Sequence, residues 1–311
     1  MKIVLLDKDT LGDDVSLDVF SEFGEFVSYP KTSAQQTLER IKEAKIIITN
    51  KVVIDKNILD HATNLKLICI AATGMNNVDL EYAKKKNVSV KNVAGYSTQG
   101  VAQYTLMQAL SLLGKNAYYD DYVKSGQWAK SEIFVHLGHP FHDIEGKKWG
   151  IIGLGSIGKK VAKLASAFDA DVCYYSTSGK NTNQTYKQVS LDEMLSSCDI
   201  ISIHAPLNEQ TNNLLDAKEL AKMKQDAILI NVARGGIVNE KALVEAVNNN
   251  KIYACIDVLT REPMEKNSPY LNVKNKERIL FSPHIAWASV EARKRLIKGI
   301  VENIKTFLKD K

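Results

Sequence analysis

Three glycines, Gly153, Gly155 and Gly158, stand at the spacing GxGxxG in WGIIGLGSIGKKVAKLASAF, residues 149–168. The spacing alone is a weak sign, but its neighbours sharpen it. The apolar run KWGIIGL precedes it as a strand, and Ile157, Val161, Leu164, Ala165 and Phe168 recur at helical spacing after it. Gly153 then makes the tight turn, Gly155 lets the backbone approach a pyrophosphate, and Gly158 lets the helix pack on the strand. The free N–H groups around Ser156 and Ile157, at the positive end of the helix dipole, face the phosphates. That chemistry is the binding of a dinucleotide.

A second checkpoint lies at the end of the next strand, DVCYYSTSGKN, where an acidic residue usually holds the adenosine ribose. Here the position falls on Ser176, followed by Thr177, Ser178 and Lys180. An aspartate would repel a 2′-phosphate, whereas three hydroxyls and an ammonium do not. The coenzyme is therefore NAD(H) or NADP(H), with a lean toward NADP; a solvated polar loop is the alternative reading of the same residues.

Other chemistry-bearing residues point less far. His136, His139 and His142 occur in VHLGHPFHDIEG, a spacing that suggests a metal. Gly138 and Pro140 disfavour a helix there, so the rings need not share a face, and an irregular loop without metal is expected. Cys69, Cys173, Cys198 and Cys255 lie in or beside apolar runs with no CxxC spacing, which reads as four buried thiols of a reducing compartment.

The elements that must position these residues alternate along the chain. Apolar runs of strand type are KIVLL, EFVSY, KIIIT, LKLICIA and VSVKNV, then KKWGIIGL, DVCYYS, DIISIH, AILINV, IYACIDV and RILFSP. Helical patterns separate most of them: AQQTLERIKEA, GVAQYTLMQALSLL, SIGKKVAKLASAF, LDEMLSS, AKELAKM and EKALVEAVNNN. Such alternation predicts parallel sheets covered by helices on both faces. The strands split near residue 97, and 311 residues suit two domains. The run at 98–113 reads as an apolar helix buried between them. The last helix, VEARKRLIKGIVENIKTFLKD, could return to the first domain and create a hinge. The boundaries are then 1–97 plus 290–311 for one domain and 98–289 for the dinucleotide domain.

A formal charge of +5, with basic and acidic residues interspersed, argues against nucleic acid or a membrane surface as partner. No run approaches the roughly 18 apolar residues of a bilayer span. The N-terminal MKIVLLDKDT meets Asp7 too soon for a signal peptide, so a cytoplasmic location is expected.

Seven ordered segments carry a resemblance: ATGMNNVDL, NVAGYSTQGVAQYTL, GIIGLGSIG, HAPLNEQTNNL, INVARGGIVNEKAL, IDVLTREP and SPHIAWAS. Over nearly its whole length the chain resembles the D-2-hydroxyacid dehydrogenase family. AGYSTQGVAQYT looks most like the hydroxypyruvate reductase, or glycerate dehydrogenase, branch. The resemblance implies an α/β fold of two doubly wound parallel-sheet domains, a Rossmann coenzyme domain and a flavodoxin-like substrate domain.

It also implies a catalytic set, Arg234, Glu262 and His284, and each choice has a physical reason. Arg234 follows the strand AILINVA, and its planar fork can grip a carboxylate and polarise the adjacent ketone. His284 follows ILFSP and titrates near neutral pH, so it can give a proton to the carbonyl oxygen and retrieve it in reverse. Glu262 would accept from the far imidazole nitrogen and favour the charged ring.

Supporting roles follow from the same resemblance. Backbone N–H groups near Thr73 and Gly74 would bind the substrate carboxylate, across a cleft from Arg234. Asp257 would hold the nicotinamide carboxamide, unless it is a strand-end aspartate capping a loop. The His204–Pro206 turn, with Val232 and Ala233, would line the coenzyme. Trp287 would wall the substrate pocket or pack in the core. The segment at 115–146, with Trp128 and several tyrosines, resembles a dimer-forming arm, which predicts a homodimer.

Two positions depart from the family pattern: Ser176 for an acidic residue, and Asp169 where a glycine commonly ends the helix. Because the final helix stands near the end of the sequence, the regulatory domain of many phosphoglycerate dehydrogenases is not expected. The expected reaction is hydride transfer between NAD(P)H and a small 2-keto acid such as hydroxypyruvate or glyoxylate, giving a D-2-hydroxy acid. D-lactate or 3-phosphoglycerate dehydrogenase is the alternative, although TGMNN offers no basic residue for a phosphate. Formate dehydrogenase is disfavoured because it carries glutamine at the position of Glu262. Outside enzymes, a dinucleotide-sensing, corepressor-like binding protein shares the scaffold.

Overall fold

Each of the eleven apolar runs forms a strand, and a short twelfth joins them. The computed structural model describes residues 1–181, 183 and 185–309. By its internal contacts the chain divides into two units, one of residues 1–97 and 288–311, the other of 98–287. The second junction thus precedes Ala288 rather than residue 290.

The first unit holds β1 (Lys2–Leu5), β2 (Glu25–Ser28), β3 (Ile46–Thr49), β4 (Leu67–Ile70) and β5 (Ser89–Lys91). They form a parallel sheet in the order β2-β1-β3-β4-β5. β3 and β4 are buried on both faces, which is why they read as unbroken runs of Ile, Leu and Cys. Helix α1 (Ala34–Ile41) opens on a capping box of Ser33 and Gln36. Two six-residue helices escaped the sequence reading, α2 (Lys56–His61) and α3 (Leu80–Lys85). They are too short for a periodicity, but each carries a start signal: Asp55 caps Ile58 and Asp79 caps Tyr82 through their backbone N–H groups.

The second unit begins with α4 (Thr98–Leu113) and α5 (Asn116–Lys124). It continues with β6 (Lys148–Ile152), α6 (Ser156–Ser166), β7 (Asp171–Tyr175), β8 (Lys187–Gln188), α7 (Leu191–Ser197) and β9 (Ile200–Ile203). Then come α8 (Ala217–Lys222), β10 (Ala227–Asn231), α9 (Glu240–Asn248), β11 (Ile252–Ile256) and β12 (Ile279–Phe281). The parallel sheet runs β12-β11-β10-β9-β6-β7-β8. Strand order reverses between β6 and β9, and an open sheet of this kind binds ligands at that reversal, beyond the strands' carboxyl ends. α4 is packed into this unit's own core, with Val101, Ala102, Ala109 and Leu112 buried beside Val161 and Ala165 of α6.

After the second unit the chain returns as α10 (Val290–Lys309), which packs on β4. Its first turn is tied to the first unit by Arg293, whose guanidinium meets the Asp14 carboxylate and the Leu11 carbonyl. Asp169, where a glycine was expected, sits at φ +59°, the left-handed conformation that explains the usual glycine. Among the described residues no helix is long and apolar enough to cross a membrane.

Candidate active site

The glycine turn after β6 is built as its spacing requires. Gly153 has φ +90°, and a Cβ there would meet the Ala205 nitrogen at 2.9 Å. A Cβ on Gly158 would lie 2.2 Å from the Gly153 carbonyl oxygen, so only glycine lets α6 approach the strand this closely. Gly155, the N-cap of α6, has nothing within 4 Å of its Cβ position. Open space therefore lies over the bare backbone at the positive end of an eleven-residue helix. Ser156 and Ile157 are accessible there, and no acidic residue occupies the first turn. These features fit a pyrophosphate.

Ser176, at the end of β7, is buried, and its hydroxyl accepts from the Asn181 N–H at 3.4 Å. Asn181, absent from the sequence reading, also donates its amide to the Leu154 carbonyl at 2.8 Å. The loop after β7 is thereby fastened to the glycine turn. Thr177 is half-buried, while Ser178 and Lys180 are exposed.

The reactive candidates gather on three neighbouring strands, β10, β11 and β12. Asn231, the buried last residue of β10, accepts from Ala233 N–H at 3.1 Å and donates to the Arg234 carbonyl at 2.9 Å. That clasp sets the turn from which the exposed Arg234 side chain emerges; Nη1 bonds the Ala233 carbonyl at 2.7 Å. Asn231 was not singled out from sequence, although an amide ending an otherwise apolar strand is a legible signal. Next to it, a Cβ on Gly235 would fall 1.9 Å from the Leu259 carbonyl carbon. The Arg234 loop and the loop after β11 therefore touch backbone to backbone.

That second loop carries Glu262. One carboxylate oxygen accepts from Leu259 N–H at 3.0 Å, and the other meets His284 Nδ1 at 2.6 Å. Both side chains are part-exposed, at 30% and 23%. The structure thus joins Glu262 directly to His284 and brings the Arg234 loop against the loop that carries Glu262, while the Arg234 guanidinium bonds the Ala233 carbonyl.

His284 has φ +56°, a strained conformation for a side-chain-bearing residue. Asp257, buried just past β11, holds it there. Its carboxylate accepts from Ser282 Oγ at 2.6 Å, Ile285 N–H at 2.9 Å and Ala286 N–H at 3.0 Å. Its carbonyl accepts from the His284 N–H at 2.8 Å. Both shoulders of the histidine are fixed by one residue, the loop-capping role that the sequence left open beside the carboxamide role.

His204 follows β9, and its Nε2 bonds Ser202 Oγ at 3.0 Å, which also accepts from the Trp149 indole at 2.9 Å. Nδ1 is buried with no protein partner among the described residues, and burial pushes the imidazole pKa down to about 3. A neutral ring with one orphaned polar nitrogen beside the glycine turn fits a site completed by a ligand. Pro206 is exposed, its carbonyl taken by Thr211 Oγ1 at 2.7 Å; Val232 is buried and Ala233 half-buried. Trp287 is half-buried against the core cluster that includes Ala286.

In the first unit, Thr73 and Gly74 follow β4. Thr73 donates to the Val93 carbonyl at 3.3 Å and its own carbonyl accepts from Asn92 at 2.5 Å, which fixes the turn. Two of the three loop histidines lie against tyrosine rings. His136 bonds the Tyr118 hydroxyl at 2.7 Å and stacks on Tyr122, and His139 packs edge-on to Tyr118. His142 donates its backbone N–H to the Leu113 carbonyl. The cysteines depart from expectation in one respect: Cys173 is half-buried, not buried like the other three.

Comparison with known proteins extends the picture. Residues 106–286 match the model of the D-isomer specific 2-hydroxyacid dehydrogenase NAD binding domain. The chain is 34% identical to a hydroxypyruvate reductase of Blautia hydrogenotrophica, covering 99% of this chain and 97% of that one. It is 35% identical to a glycerate dehydrogenase of Methylorubrum extorquens, covering 100% and 97%. Its fold superposes on an acyclic imino acid reductase solved with NADPH and D-Arg, with a TM-score of 0.87, 28% identity and coverage of 100% and 98%. From the glycine turn, the imidazole–carboxylate pair and these likenesses together, the chain belongs to the D-isomer-specific 2-hydroxyacid dehydrogenase family.

Proposed function

We propose that this dehydrogenase reduces a small 2-keto acid of the hydroxypyruvate or glyoxylate type to the D-2-hydroxy acid. The observation that carries the reading is the 2.6 Å contact between His284 Nδ1 and Glu262. With Nδ1 engaged, Nε2 is the nitrogen left to exchange a proton with the substrate oxygen, and the carboxylate stabilises the imidazolium form. When bound at the glycine turn, a nicotinamide dinucleotide supplies or accepts the hydride. Arg234, released from the Ala233 carbonyl, grips the substrate carboxylate and offsets charge growing on the ketone oxygen. Backbone N–H groups at Thr73 and Gly74 take part in substrate binding, and Trp287 borders the substrate side chain. Asp257 both orients His284 and receives the carboxamide.

Coenzyme choice leans to NADPH, because Ser176 removes the acidic residue that would repel a 2′-phosphate and Lys180 stands exposed nearby. The working form is a homodimer in the reducing cytosol. The arm after α5 exposes Ile133 at 66%, Phe134 at 89% and Leu137 at 78%, apolar surface suited to a second copy of the chain. A sedimentation mass of one chain would refute the dimer. Oxidation of NADH and NADPH, followed at 340 nm with hydroxypyruvate, glyoxylate, pyruvate and 3-phosphohydroxypyruvate, tests the rest. Turnover fastest with hydroxypyruvate or glyoxylate and NADPH is expected. Preference for pyruvate or the phosphorylated acid overturns the substrate assignment, preference for NADH overturns the coenzyme assignment, and tight coenzyme binding without turnover identifies a sensor.

A further inference from the structure

Cys173 and Cys198 are separated by 25 residues and lie on different elements, yet their sulfurs are 3.5 Å apart. Cys173 is the middle residue of β7 and is paired in register with Gly150 of β6. Cys198 is the C-cap of α7. A Cβ on Gly150 would sit 3.0 Å from the Cys198 sulfur and 2.6 Å from Met194 Cγ. The bare glycine thus opens the space through which the sulfur at the end of α7 reaches the strand beside it.

The pair is asymmetric: Cys173 is half-buried, and Cys198 is fully buried beneath it. We propose that Cys173 and Cys198 are a peroxide-reactive dithiol that closes to an intramolecular disulfide within the coenzyme-binding unit. Cys173 is the attacking thiol because it is the one solvent reaches. The hydrogen bond from Cys198 also holds its pKa below the usual thiol range, while the same contact and burial raise that of Cys198. The Cys173 thiolate attacks one oxygen of hydrogen peroxide; the O–O bond breaks and the departing hydroxide leaves as water after taking a proton. Cys198 then attacks the resulting sulfenic sulfur; the S–S bond forms, the S–O bond breaks, and a second water leaves. Two thiols lose two electrons and one peroxide becomes two waters. Closure asks the sulfurs to move from 3.5 Å to about 2.05 Å, a shift the end of a seven-residue helix can supply.

Two other cysteines serve as internal controls. Cys69 is wholly buried in the first unit, its thiol pushed up to about 12 by burial, and Cys255 is buried against the Gln108 carbonyl. The test treats the reduced full-length protein with a small molar excess of hydrogen peroxide, blocks remaining thiols under denaturing conditions, and maps peptides by mass. The expected result is loss of two hydrogens from the chain and a cross-linked pair of peptides carrying Cys173 and Cys198, with Cys69 and Cys255 alkylated. In Cys198→Ser, the cross-link disappears and dimedone captures a sulfenic acid on Cys173. Wild-type protein that keeps both thiols, stops at a sulfinic acid on Cys173, or links two chains overturns the proposal without reference to any variant.

Discussion

Two buried aspartates, one per unit, do the same mechanical work to different ends. Asp7 follows β1 and takes the N–H groups of Asn50 and Lys51, at 3.0 and 2.7 Å, together with the Thr49 hydroxyl at 3.2 Å. Asp257 follows β11 and takes two N–H groups and a hydroxyl from the loop after β12. In both, a carboxylate at one strand's end disciplines the loop leaving a neighbouring strand, since free loop N–H groups at a buried edge would otherwise go unpaired. The loop held by Asp7 carries no histidine. The loop held by Asp257 carries His284 at φ +56°. The clasp is therefore general architecture, and chemistry depends on what it presents.

The strongest way to break this comparison is to remove what is presented. His284→Gln should lower kcat by about 10² to 10⁴-fold with the fold intact by circular dichroism; near-normal turnover would mean that Asp257 presents nothing reactive. Next, exchanging the clasps separates the two roles. Asp257→Asn should lower kcat by up to about 100-fold by misplacing the imidazole. Asp7→Asn should leave kcat unchanged while costing about 1–3 kcal/mol in a urea titration. Equal kinetic damage from both would erase the distinction.

Glu262→Gln tests the second support of the ring. The amide cannot stabilise imidazolium as the carboxylate does, so the pH profile of kcat/KM should move to lower pH, with a smaller loss in kcat than His284→Gln gives. An unmoved profile would deny the pair its role. The smallest effect concerns acid. His204 titrates near 3 in the native unit and near 6.5 when unfolded, so the unfolded chain binds the extra proton between those values. Stability should fall as pH drops below about 6.5, by up to about 1.4 kcal/mol per unit from this group. Urea midpoints at pH 7 and pH 5 should differ less in His204→Asn.

Sequence legibility followed burial. Strands enclosed on both faces announced themselves as apolar runs, and the helices of α1, α6 and α9 by their periodicity. β8 did not, because Lys187 and Gln188 are both exposed and only two residues long. Arg234, Glu262 and His284 were reachable through resemblance, since no local pattern links residues 22 positions apart whose contact depends on strand order. Asn181 acts through a bond to backbone, which leaves little trace in residue spacing, whereas Asn231 shows as an amide ending an apolar strand. The Cys173–Cys198 contact was illegible because it arises from a helix end lying over a strand.

Gly235 and Gly155 would answer differently to a library of substitutions. At Gly235 even a methyl group collides with the neighbouring peptide, so every replacement should be purged at the level of expression and solubility. At Gly155 the space is vacant, and small replacements should yield well-behaved protein whose defect surfaces only when nucleotide is added. One glycine is guarded by foldability, the other by the cargo.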